Sequence, residues 1–386
     1  MQEYTIQNAF ASIIAMDQHA RSITLSAIDL VNRIEVHGRL SDCPQATDVI
    51  DWAMKRLTEP MRFVYETGPC GVQLARDFKS MGYRCDVIAV SSIPSSAQDR
   101  AYKDDRRDAD KLLAAVLNPK AKCRAIWIPS EESEAARDLV RSYYDAVNAL
   151  KRSKLQCSSM LLRHGYVWNQ KTRTGAIKKT WTENYISWVK SIELPVKAER
   201  VTLRFYLEAV LEGTRQCEEI KKECLVVCAS PRFKPYIDAM IRLKGINEMT
   251  ALAYVATMDD FTRFKNGRSV SRYFGLTPSR NDSGERTGKN GHITKSGDTT
   301  VRKAVIEALS NFSQHKRQSP PMKAGHKVSS AVEAEARKCN IRHYTRFRHL
   351  LANGKKVNVA KVAVASEFVR NMWAIGLIVN EELASS

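Results

Sequence analysis

Apolar positions change their rhythm partway along this chain. In roughly the first third they come as short runs and alternations. Phe10 to Met16 reads as a buried strand with Asp17 at its C-terminal end. Ile23, Leu25 and Ala27 alternate, as do Ile34 and Val36, which predicts two half-exposed strands joined by a short turn near Asn32. A helix follows with Ala46, Val49, Ile50, Ala53 and Leu57 on one face. Met61 to Tyr65 is a strand ending at Glu66, and a helix carrying Leu74, Ala75, Phe78 and Met81 stops at Gly82. Val87 to Val90 is a fifth strand. Ala109, Leu112, Leu113 and Val116 recur at helical spacing, and a short strand, Ala125 to Ile128, closes the region.

Beyond it the period is helical almost throughout. Ser130 with Glu131 and Glu132 starts a helix, and Leu139, Tyr143, Val147 and Leu150 form its stripe. A second stripe, Leu203, Leu207, Val210, Thr214, Cys217 and Cys224, has coiled-coil spacing. The two predict a projecting antiparallel hairpin around an insert holding Trp168, Trp181 and Trp188. The tryptophans suit either a packed core or, with Lys171, Arg173, Lys178 and Lys179, contact with RNA. Cys217, Cys224 and Cys228 read as packing positions on one stripe. Three regions result: 1–129 a mixed α/β domain, 130–230 the hairpin, 231–386 a helical domain.

Charge narrows the partners. The 386 residues carry a formal net charge of +19, which suits a broad surface meeting phosphate backbones. No apolar run reads as long enough to span a bilayer, and no signal peptide is read at the start, so the expected setting is a reducing one, cytoplasm or nucleoid, with no membrane partner. Nine cysteines without a CxxC pair argue against a disulfide framework or zinc site.

Strand order β-β-β-α-β-α-β-α predicts a mixed sheet in which strand one neighbours strand four. Asp17 and Glu66 would then lie side by side. The helix after strand five would bring Asp105 and Asp108, three residues apart on one face, to the same edge. That is an RNase H-like (RuvC-like) arrangement, and four such carboxylates make a site for one or two Mg2+ ions. Each acid alone also fits a plainer role: a solvated first turn favoured by the helix dipole, or a turn after a strand. Asp104 and Asp110 are read as bystanders or helpers.

The spacing Asp17, Glu66-Thr67-Gly68, Lys103-Asp104-Asp105-Arg106-Arg107-Asp108-Ala109 resembles the DEDD signature of the insertion sequence 110 transposase family. These are relatives of the Piv DNA invertase and include bridge-RNA-guided recombinases. The family's first strand usually reads Ile-Gly-Ile-Asp; here it is Ile14-Ala15-Met16-Asp17. A second block is similar to the family's transposase domain. Tyr273 to Gly284 contains Gly275-Leu276-Thr277-Pro278 and Ser283-Gly284, and a glycine-rich basic loop from Gly288 to Asp298 leads to Val301-Arg302-Lys303. The resemblance makes Ser283 the nucleophile that links covalently to DNA, with Ser279 and Ser296 as competitors. Arg280, Arg286, Lys289, Lys295 and Arg302 would neutralise phosphate around it. It further implies a non-coding bridge RNA, donor and target DNA, and a homodimer or tetramer joined through the hairpin.

Lys244, Gly245 and Asn247 belong to Leu243-Lys244-Gly245-Ile246-Asn247, which resembles the phosphate-holding turn of helix-hairpin-helix modules, or is an ordinary helix turn. His343-Tyr344-Thr345-Arg346 spells a tyrosine-recombinase motif, but no tyrosine follows Tyr344, so that class is excluded. Two rivals to the recombinase remain: a RuvC-like nuclease using metal-activated water, and a non-catalytic nucleic-acid-binding protein.

Overall fold

The computed structural model describes residues 10–94, 104–280, 290–310, 319–322 and 324–385. The chain divides into two compact units, Met1–Pro129 and Ser130–Ser386.

In the first unit, β1 (Ser12–Gln18), β2 (Ile23–Asp29), β3 (Ile34–Leu40), β4 (Met61–Glu66) and β5 (Arg84–Ile88) form one sheet in the order β3-β2-β1-β4-β5. The first three strands pair antiparallel, whereas β4 runs parallel to both β1 and β5. Crossovers through α1 (Ala46–Met54) and α2 (Gln73–Ser80) make the parallel pairings. These helices bury Val49, Ala53, Leu74 and Phe78 against Ile14, Met16, Phe63 and Tyr65. The opposite face receives α3 (Asp105–Leu117), whose Leu112, Leu113 and Val116 pack on Ile13, Ala15, Val64 and Ile88. Alternate residues of β1 thus feed two cores, which is why its sequence reads as a continuous apolar run. The turn after β2 is fixed by Asp29, whose carboxylate accepts from the amides of Val31 and Asn32, each at 2.9 Å.

Two details depart from the sequence reading. Strand β2 is buried and not half-exposed, because α3 covers the face that carries Thr24 and Ser26. Ala125 to Ile128 is no strand: it contributes one antiparallel bridge, Ile88 to Ala125.

The second unit opens with α4 (Glu131–Arg163) and α6 (Lys197–Cys228), with α5 (Glu183–Lys190) in the insert between them. The long pair is antiparallel. Cys224 Sγ lies 3.9 Å from the Leu139 carbonyl, and His164 Nδ1 lies 3.7 Å from Glu199. The insert folds on its own aromatic core. Trp168 is buried, donates from Nε1 to the Lys178 carbonyl at 3.0 Å, and sits 5.2 Å from the rings of Tyr185 and Trp188. Trp168 is therefore a core residue. Cys217, Cys224 and Cys228 are buried too, and burial pushes the Cys224 and Cys228 thiols up to about 11 and about 12, as protonated packing groups.

At the base of the hairpin Val140, Cys224 and Cys228 join the core of the remaining helices. These are α7 (Lys234–Met240), α8 (Glu248–Met258), α9 (Gly267–Tyr273), α10 (Thr299–Ala308), α11 (Ser330–Ala352) and α12 (Val357–Ala384). A short hairpin of β6 (Pro278–Arg280) and β7 (Asn290–Ile293) lies between α9 and α10. By length and composition α12 is long and apolar enough to cross a membrane, where the sequence reading saw no such run. Its Val364, Phe368, Met372 and Ile375 are buried in this core.

Candidate active site

Register sets the geometry of the first unit. Across the face under α3, Arg39 on β3 pairs with Thr24 on β2, and Thr24 pairs with Asp17 on β1. The parallel pairing of Met16 with Tyr65 puts Glu66 of β4 beside Asp17 in the same row. Side-chain alternation then points all four toward the helix face.

From the other side comes the first turn of α3. Asp104 is its N-cap and accepts from the Arg106 amide at 3.3 Å, so it is engaged in starting the helix. Asp105 turns toward the sheet, where Arg39 Nη1 lies 3.8 Å from it. His19, just past the end of β1, stands between the two carboxylates: its Nε2 is 3.1 Å from Asp17 and 3.1 Å from Asp105. The ligand atoms of Asp17, His19 and Asp105 all fall within 4.8 Å of one another. Glu66 and Asp108 share this margin without belonging to that closest set. Asp110 is directed elsewhere, to His37 Nε2 at 3.0 Å.

Electrostatics mark Asp17 as the strained member. Burial raises its pKa above the ordinary carboxylate value, His19 pulls it down, and Asp105 and Asp108 push it up again. A buried carboxylate facing two like charges is what a cation relieves. The oxygen donors suit a hard divalent ion such as Mg2+, so the residues fit the metal that the acidic pattern implies. His19 and Arg39 were missed from sequence. The signal for His19 was its two-residue spacing from Asp17; for Arg39 it was strand register, which the sequence left open.

In the second unit the basic hairpin is braced from beneath. Arg302 is buried, and its guanidinium donates to the carbonyls of Phe274 (3.2 Å) and Ser296 (2.8 Å) and to Thr299 Oγ1 (3.2 Å). It supports the loop from inside the fold. Gly275 (φ 64°) and Gly297 (φ 71°) bring the strands over α9, and a Cβ on either would overlap the carbonyl of Ser296 or of Tyr273. Ser279 and Ser296 donate their hydroxyls to the carbonyls of His292 (3.0 Å) and Arg272 (3.5 Å). Lys295 is exposed. Ser283, Arg286 and Lys289 lie outside the described residues, as does the side chain of Arg280. Beside β6 and β7 opens a groove of about 790 Å3 bordered by Arg342, Arg346 and Arg370 around Glu367.

The Lys244–Asn247 turn is built otherwise than its resemblance suggested. Only Gly245 takes positive φ (87°), with no room for a Cβ against the Ala308 carbonyl. Asn247 is extended and caps α8, accepting from the Thr250 amide at 2.9 Å. Burial lowers the pKa of Lys244, whose ammonium lies 5.8 Å from the Tyr344 ring centre. His343 is a core histidine, held down to about 3 by burial and by Arg342 and Arg346.

Residues 238–327, from within α7 past α10, match the sequence model of the "Transposase IS116/IS110/IS902 family". Over 334 residues the chain is 33% identical to a Sinorhizobium fredii protein named as a transposase, y4qE, covering 84% of this chain and 78% of that one. The chain belongs to the IS110/IS116/IS902 transposase family. This transposase is also 25% identical, over 76% of its length and 83% of the relative's, to the transposase for insertion sequence element IS1533 of Leptospira borgpetersenii. The matched segment of the transposase holds α8, the basic hairpin and Arg302, so the brace under the loop belongs to its family-defining part.

Proposed function

We propose that this transposase is a DEDD recombinase that cuts and exchanges DNA strands through a serine–DNA intermediate. The first unit is read as RNase H-like, with Asp17, Glu66, Asp105 and Asp108 holding one or two Mg2+ ions. When bound, the metal supplies positive charge beside the phosphodiester as negative charge builds up during displacement. Ser283 is the nucleophile. Its Oγ attacks phosphorus and loses its proton, a phosphoserine ester forms, and the P–O bond to the departing sugar breaks as that oxygen takes up a proton. Attack by the hydroxyl of another strand reverses these changes and rejoins DNA. Arg280, Arg286, Lys289 and Lys295 neutralise phosphate charge, and Arg302 positions the loop.

Donor and target DNA are the substrates, a bridge RNA supplies sequence selection by base pairing, and a dimer or tetramer brings the strands together. The setting is the bacterial nucleoid. The observation that carries this reading is the convergence of Asp17 and Asp105 from distant parts of the sheet unit, in a chain whose family acts on DNA.

The test is cleavage of a donor-end duplex with its RNA and Mg2+, scored for protein–DNA adduct by denaturing gel. Asp105→Asn should abolish cleavage, and Ser283→Ala should abolish both cleavage and adduct. A Ser283→Ala protein that still cleaves would make the enzyme a hydrolytic nuclease using metal-activated water.

A further inference from the structure

Four residues, His19 to Ser22, carry the chain from β1 into β2, closed by the His19 amide donating to the Ser22 carbonyl at 2.9 Å. The turn holds the imidazole on the same side of the sheet as Asp17. Nε2 is equidistant, at 3.1 Å, from Asp17 Oδ2 and Asp105 Oδ1. Two carboxylate oxygens and an imidazole nitrogen within 4.8 Å of each other can converge on one ion.

We propose that His19 is a metal ligand of this transposase, completing with Asp17 and Asp105 a mixed oxygen and nitrogen site that favours Mn2+ over Mg2+. This rests on reading the carboxylates as a metal site. Mg2+ favours oxygen donors in near-ideal octahedral geometry, whereas a first-row transition ion accepts a nitrogen donor more readily, and Mn2+ is the member of that series that also keeps the carboxylate and water ligands of Mg2+.

A second observation points to a ligand beside Asp105, on the same face of the sheet as Asp17. Thr24, the cross-strand partner of Asp17, is only 6% exposed, and its Oγ1 has no hydrogen-bond partner among the described residues. Thr24 and Asp105 line a shared cavity of about 300 Å3, together with Arg39 and Arg106. A hydrated cation brings water that can satisfy the Thr24 hydroxyl.

The experiment uses the full chain with metal alone. Mn2+ binding is followed by calorimetry and by electron spin echo, in which a coordinated imidazole gives nitrogen modulation, and Mg2+ is titrated in competition. Wild type should bind Mn2+ with nitrogen modulation. His19→Ala should lose that modulation and about tenfold or more in Mn2+ affinity, with a smaller loss for Mg2+. His19→Asp should keep metal binding while moving the preference toward Mg2+. A His19→Ala protein that binds Mn2+ as tightly as wild type, or a wild-type spectrum without nitrogen modulation, would overturn the proposal and leave His19 a polar bridge between the two carboxylates. The underlying reading fails separately: wild type would then bind neither ion, or Asp105→Asn would bind both unchanged.

Discussion

Charge is handled in opposite ways at two places in the molecule, the core of the helical unit and the margin of the sheet. In the helical unit the side chains of Arg242, Asp259 and Asp238 are buried and each has its partners. Arg242 donates to Glu333 at 2.6 and 2.9 Å and to the Pro320 carbonyl, Asp259 receives Arg232 at 2.8 Å, and Asp238 receives both Lys234 and His326. At the sheet margin, Asp17 is buried facing Asp105 and Asp108, with a half-exposed imidazole as its nearest compensation. Satisfied networks specify a fold; an acid left raised in pKa marks a place kept ready for something else. A strongly basic chain thus gathers several carboxylates in one small area of the sheet margin.

That contrast breaks first, if at all, at Asp105. Asp105→Asn should lower strand cleavage by about 1,000-fold while moving unfolding free energy by no more than about 0.5 kcal/mol. A comparable loss of stability would make the cluster structural. Next in size is the insert, where Trp168→Ala should cost about 3 kcal/mol locally, read by hydrogen exchange as lost protection around α5 with amides near Cys224 unaffected. Arg242→Ala should destabilise the helical unit by about 2 kcal/mol in urea melts, less than a fully buried pair because Glu333 is part-exposed.

The smallest effect sharpens the comparison through pH. Burial holds His343 down to about 3 in the fold, against an ordinary value of 6.5. Between those values the unfolded chain binds the extra proton, so stability falls on acidification, by up to about 1.4 kcal/mol per pH unit. His343→Phe should flatten that slope in urea melts between about pH 5 and pH 7.

The sheet was legible because alternation and crossover chirality leave few ways to arrange its strands, and the β1–β4 neighbour relation follows from them. The choice between Asp104 and Asp105 was not legible, since either can begin a helix; the N-cap geometry of Asp104 decides which one faces the sheet. His19 escaped notice because it lies past its strand, where alternation no longer signals direction. Asn247 looked like a residue chosen for positive φ and serves as a cap, because Gly245 alone meets the steric demand beside α10. The Trp168 choice between nucleic acid and core was decided by long-range ring packing that composition does not encode.

The α4–α6 pair has one more consequence. Its facing positions, Leu139 with Cys224, Leu150 with Gly213 and His164 with Glu199, each add to the same residue-number sum, 363, so the two strands of the rod are locked in phase. Removing seven residues from each arm should draw the tryptophan-bearing tip in by roughly 10 Å without turning it, whereas removing five would swing it about the axis. The rod is in effect a ruler marked in heptads, along which evolution can change reach in fixed steps while keeping aim.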